Sequence, residues 1–268
     1  MQPWLLLLVL PSVFPLNCSY IFDGQRYKKE TFLTIKGSAA YLQIEPTTNN
    51  LIFSLVDSLD NTFRGIYILK NETPVMVDIN AANVAATDFR HNRVYIATQY
   101  GLKLLSQNGN SSDFASLQNL CIFRLFKPNA DDKLFFITYP DKIVYQLDLN
   151  TFEKSEVEIK SPAWNVVTDS DGNIFYRTES FEYKVLLKDF DDSIKFVGLK
   201  GDNFELTVDD FDRVIAVTHN GLYWLKPDSM IPKKLMHLDF KPRSVLFDCD
   251  DILISTDNTI YKFSKDGC

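Results

Sequence analysis

Histidine is scarce in this chain of 268 residues: only His91, His219 and His237 occur, and no two of them stand at a metal-ligand spacing. A GxSxG elbow, an HExxH motif and a glycine-rich phosphate loop are all missing. Their absence removes the familiar signatures of α/β-hydrolases, zinc proteases and nucleotide enzymes. Basic residues never run longer than two, and the formal net charge is −7. Nucleic acid and anionic membranes both require clustered Lys and Arg, so neither is expected as a partner. The one marked apolar run, Trp4–Leu10, is far too short to span a bilayer.

What the sequence does contain is a repeat. Arg93–Thr98 (RVYIAT) is echoed by Lys133–Thr138 (KLFFIT), Asn173–Thr178 (NIFYRT) and Arg213–Thr218 (RVIAVT), whose closing threonines stand 40 residues apart. Asp251–Thr256 (DILIST) follows at 38, and Asn50–Leu55 (NLIFSL) precedes without the threonine, giving six copies. Each copy follows a segment that closes on Pro46, Asp88, Pro128, Asp169, Asp209 or Asp248. Each is followed by a second apolar strand such as GIYILK at Gly65 or GLYWLK at Gly221. Five copies then have a fourth strand, and the sixth, where the chain ends at Cys268, has none. Thr31–Lys36 (TFLTIK) belongs to no copy and is free to supply it. A period near 40 with four short strands per unit is the signature of radially repeated sheets, whose ring must hide its own edges.

The expectation is therefore an all-β, six-bladed β-propeller with four antiparallel strands per blade. Its blades fall at about 39–79, 80–120, 121–160, 161–200, 201–239 and 240–268, the last completed by residues 31–36. One such domain over 19–268 accounts for the whole mature chain, since about 250 residues bury a sizeable core without further support.

Residues 1–18 read as a secretory signal, an apolar core interrupted by Pro11 and Pro15 before a polar stretch. Sequons at Asn17, Asn71 and Asn110 fit an exported, extracellular protein. Asn71 and Asn110 fall between third and fourth strands, on the face that also carries the first-to-second strand turns. The opposite face is left for a ligand. In an oxidising compartment Cys18 and Cys268 are expected to clasp the ends of the domain, with Cys249 as the competing partner, while Cys121 reads as a buried small apolar residue.

Aligning each first strand on its closing Pro or Asp exposes the candidate site. Five residues earlier stand Tyr41, Asn83, Phe123, Trp164, Phe204 and Arg243, at the open-face end of the channel. Arg124, Asn165 and Glu205 follow in the next register, and His219 sits in a turn on the same face. Aromatic rings, an amide and a guanidinium in a circle suit a flat, partly anionic molecule, with rings stacking on its faces and Arg243 pairing with a carboxylate. The same aromatics also suit packing between blades. Acidic turns such as Asp169–Gly172 and Asp209–Asp212 have calcium-loop composition but sit where a carboxylate caps a turn. No metal site, catalytic set or cofactor motif is assigned, and the chain is not expected to be an enzyme.

Tyr27–Glu30 (YKKE) after a single cysteine, the strands YLQIEPTTNNLIFSL and six irregular repeats resemble the insect ommochrome-binding proteins. That resemblance implies a secreted six-bladed carrier of tryptophan-derived phenoxazinone pigments in the body fluid, without catalysis, with Arg243 or Arg124 to pair the pigment's carboxylates; a monomer is expected. The alternative is a calcium-dependent lactonase or esterase of the regucalcin type, whose metal set Asn83, Asn165 and Glu205 would partly imitate. A protein-binding propeller is a third reading.

Overall fold

In a computed structural model of the chain, the described residues are 20–57, 60, 62–106, 110–114, 117–199 and 205–265. The expected signal segment, residues 1–18, lies outside them, as do Phe204 and Cys268, and with them the expected Cys18–Cys268 bridge. Among the described residues Cys121 and Cys249 are free thiols.

Every regular element of length is a β-strand, and the recurring threonine has a structural task. Thr98 Oγ1 donates to Gly101 O at 2.9 Å and accepts from Tyr100 N at 3.0 Å, closing the turn between second and third strands. Thr218 and Thr256 close their turns in the same way, donating to Gly221 O at 2.9 Å and Thr259 O at 3.0 Å. After two of these threonines comes a glycine that nothing else replaces. Gly101 has φ +136°, and a Cβ there would lie 2.3 Å from Leu117 O; at Gly221, φ +152°, it would lie 2.1 Å from Met236 O.

The acidic turns serve the opposite end. Asp209 Oδ1 accepts from Phe211 N at 3.0 Å and Arg213 N at 2.9 Å, and Asp169 Oδ1 accepts from Asn173 N at 2.9 Å. These carboxylates cap the turns.

Four antiparallel sheets have four strands each, in chain order or its reverse. Their first strands, Ser38–Ile44, Ala82–Asp88, Ile122–Phe126 and Ala163–Thr168, stand side by side with Glu205–Val208 and Ser244–Asp248 around a common channel. Apolar clusters fill the spaces between neighbouring sheets, as where Val84, Tyr95 and Leu102 meet Ile122, Leu134 and Phe136.

The expectation of six separate blades is corrected here. The remaining nine strands form a single sheet, so the propeller has four discrete blades and one nearly closed nine-stranded sheet. Gln25–Thr34 pairs with Thr259–Ser264 from Lys28↔Ser264 to Thr34↔Thr259, in the place expected for 31–36. A further strand, Tyr20–Phe22, folds back on it and also meets Lys233–His237 at Phe22↔Met236. That short strand welds the last two repeats together. Its turn is Asp23-Gly24, with φ +47° and +86°, the backbone of a tight hairpin. Asp23 also pairs with Arg213 at 2.6 Å and Lys233 at 2.8 Å, fixing the turn to the fifth repeat.

Phe22 is the apolar anchor of this weld, packed on Tyr27 and Phe247. Phe22→Ala is expected to cost about 3–5 kcal/mol in urea denaturation. Its strand neighbour Ile21, 54% exposed, is expected to change stability by less than about 0.5 kcal/mol when cut to Ala.

Candidate functional site

Along the first strands, the site positions share a backbone peculiarity. Strand register skips Asn83 between Ala82 and Val84, Phe123 between Ile122 and Arg124, and Trp164 between Ala163 and Asn165. In the first repeat it skips Tyr41 and Leu42, between Ala40 and Gln43. Each is a β-bulge, which frees one residue from the ladder and re-aims its side chain. Tyr41 carries the strain openly, with φ +53°. The sixth repeat has no bulge, since Ser244 pairs directly with Ser255.

These residues converge on a cavity of about 470 Å³ at the open face, lined by Tyr41, Phe123, Trp164, Asn83, Arg124 and Arg243. Phe63, Gln99, Tyr139 and Cys121 also line it. The rings are mutually braced: Phe123 meets Trp164 edge-on at 5.4 Å and Tyr139 at 6.2 Å, and Tyr41 stacks with Phe63 at 6.3 Å. Lys142 lies 4.6 Å over the Trp164 ring and pairs with Glu179. Asn83 is partly committed, its amide donating to Ile122 O at 2.9 Å. Arg243 holds Asp257 at 2.7 Å. Among the described lining residues the only charged side chains are Arg124 and Arg243.

A second cavity, of about 400 Å³, opens at the turn face, where Asn165, Glu205, Lys127 and the rim carboxylates Asp169, Asp209 and Asp248 gather. Tyr41 and Arg124 border both cavities, so this pair forms the waist of the channel. The Arg124 guanidinium lies 4.5 Å over the Tyr41 ring and 4.9 Å over Phe123. Burial pushes the Glu205 carboxyl up to about 7, against a hydrogen bond with Ser244, the Val245 N–H at 3.2 Å and the Arg124 charge.

The sequence alignment thus brings Tyr41, Asn83, Phe123, Arg124, Trp164 and Arg243 together at the open face, and sends Asn165 and Glu205 to the other side of the waist. His219 is exposed on a rim turn and lines neither cavity. Gln99 and Tyr139 were legible in principle, because each directly follows a repeat threonine.

The divided placement bears on the calcium reading. Asn83 faces one cavity, Asn165 and Glu205 the other, and a guanidinium stands between them. Burial also favours the neutral form of Glu205. This donor set does not fit a divalent cation.

No protein-family model matches the sequence, and none of the curated proteins matches it. Solved structures do share the fold. A gluconolactonase from Xanthomonas campestris matches with TM-score 0.71 at 12% identity, over 91% of this chain and 90% of that one. An auxiliary nutrient binding protein from Bacteroides thetaiotaomicron matches with TM-score 0.63 at 10% identity, over 91% and 76%. Virginiamycin B lyase from Staphylococcus aureus gives TM-score 0.59 at 9% identity, over 89% and 99%. The fold is a β-propeller of the kind found in gluconolactonases and nutrient-binding proteins. At identities of 12%, 10% and 9% the likeness is one of fold.

The raised Glu205 has a testable signature. Its stability contribution is fully present below the ordinary value of 4.5 and is lost as pH rises through about 7. Glu205→Gln removes the titration, so between pH 4.5 and pH 8 denaturation is expected to show wild type losing up to about 3 kcal/mol more than the variant.

Proposed function

We propose that this chain is an exported propeller that binds a flat, ring-bearing small molecule in its open-face cavity. The observation that carries this reading is the set of bulges: strand backbones are distorted at Tyr41, Phe123 and Trp164 so that rings line one cavity of about 470 Å³. Aromatic walls contribute stacking beyond mere area burial, and two cationic groups suit a ligand with an acidic end. A tryptophan-derived phenoxazinone of the ommochrome class meets both requirements, and it is the ligand that the sequence resemblance implies. The sequons at Asn71 and Asn110 and the apolar leader support export.

The second reading is lactone hydrolysis. It is supported by the likeness to the Xanthomonas gluconolactonase and by Glu205, a buried carboxyl raised to about 7, where a proton acceptor is useful near neutral pH. Its weak point is the donor set, which Arg124 divides.

Titration of the purified full chain with a phenoxazinone pigment, followed by the visible band and by tryptophan fluorescence, separates the two. Binding is expected, and Trp164→Ala is expected to weaken it at least ~10-fold without loss of fold. In parallel, glucono-1,5-lactone is offered with calcium and with a chelator. Calcium-dependent lactone opening together with an unchanged visible band would transfer the function to the second reading.

A further inference from the structure

Charge is distributed unevenly along the channel, and the waist is where the imbalance is greatest. Arg124 enters from the third repeat and is held flat between the rings of Tyr41 and Phe123, with Nη1 donating to Phe123 O at 2.8 Å. Its Nε is buried and has no hydrogen-bond partner among the described residues. No ion pair to Arg124 is formed among the described residues either. The Tyr183 hydroxyl, on the third strand of the fourth repeat, is a second buried polar atom without a partner. Between these two groups electrostatically lies the buried Arg177. Burial lowers its proton affinity and the charge of Arg124 lowers it further, while it also feels the Tyr183 and Tyr41 phenols. Two guanidinium groups thus influence each other in a low-dielectric space. The Glu205 carboxyl, which feels the Arg124 charge, is itself pushed toward its neutral form by burial.

A guanidinium at a cavity wall with no ion pair among the described residues is suited to an anionic partner from outside the chain. Arg243 is a poorer candidate for that role, because Asp257 already balances its charge at 2.7 Å. Arg124 can be reached from the open-face cavity that the rings line.

We propose that the waist of the channel is an oxyanion subsite: Arg124 receives the carboxylate of a ring-bearing ligand whose flat part lies against Trp164 and Phe123. This rests on the open-face cavity being the ring site, and it names the ligand class as aromatic carboxylates. It also assigns the charge contact to Arg124 in preference to Arg243. Arg177 sits behind as a positioning charge, raising the local potential and leaving the direct contact to Arg124.

Two probes with one ring system make the test: 2-naphthoate and 2-naphthamide, titrated calorimetrically into the full chain at constant ionic strength. The carboxylate is expected to bind at least ~10-fold more tightly than the amide, and Arg124→Met is expected to abolish that preference. Arg124→Lys, which keeps the charge but loses the fixed fork, is expected to lose most of it and serves if the methionine variant does not fold. Lys262→Met, a cation outside the cavity, is the control for general electrostatics. Equal binding of the two probes, or a preference that survives Arg124→Met, would overturn the subsite while leaving the ring reading intact, provided Trp164→Ala still weakens both. If neither naphthyl compound binds but acetate raises the melting temperature of the wild type and not of Arg124→Met, the ring reading falls and the anion subsite stands. Acetate without effect in that case overturns both.

Discussion

The pairing of Gln25–Thr34 with Thr259–Ser264 is the interaction on which the rest depends. A series of small sheets arranged around an axis leaves an exposed edge at its last member, and an exposed edge invites both aggregation and opening. Here Gln25–Thr34, from the opposite end of the chain, fills that edge. The strand before it, Tyr20–Phe22, then spreads the joint over two repeats, with Phe22 buried among Tyr27, Leu235 and Met236. Only in a closed ring do the innermost strands keep a fixed distance from the axis. Every side chain that lines the channel inherits its position from that closure.

Within the ring, specificity comes from a modest device. Ala82–Asp88 is buried along its whole length, so a regular strand there would present only packing surfaces. A register shift in each of four first strands releases residues from the ladder, Asn83, Phe123 and Trp164 singly and Tyr41 together with Leu42. The backbone stays hydrogen-bonded on either side, which keeps the distortion local. Tyr41, in the left-handed region, then supports Arg124 from below its guanidinium plane. Backbone geometry, aromatic packing and the electrostatics of the waist are therefore one continuous construction.

Much of this was legible in the sequence because the repeat is enforced by chemistry that cannot drift. The threonines recur because their hydroxyls bond within the turns they enter, and Asp88, Asp169 and Asp209 recur because each caps the opposite turn. Fixing both ends of a strand fixes every position between them, and so six of the aligned residues meet at one cavity. Other features were less accessible. The weld of the last two repeats depends on Asp23-Gly24, a recognisable hairpin pair, but its docking on Met236 is a contact across more than 200 residues of chain. Arg243 looked available because Asp257, its partner, lies in the turn between Asp251–Ser255 and Thr259–Ser264, outside the aligned strands. The split between Asn83 on one side and Asn165 and Glu205 on the other turns on where the Arg124 side chain lies, and strand register carries no information about that.

Lys28 and Ser264 sit opposite each other at one end of the closing strand pair, and both point back toward the chain ends. A tensile load applied across those ends would therefore not be shared among the hydrogen bonds of the pair. It would fall on them one at a time, as on the teeth of a zipper, with Tyr20–Phe22 and the ion pairs of Asp23 as the stop at its open end.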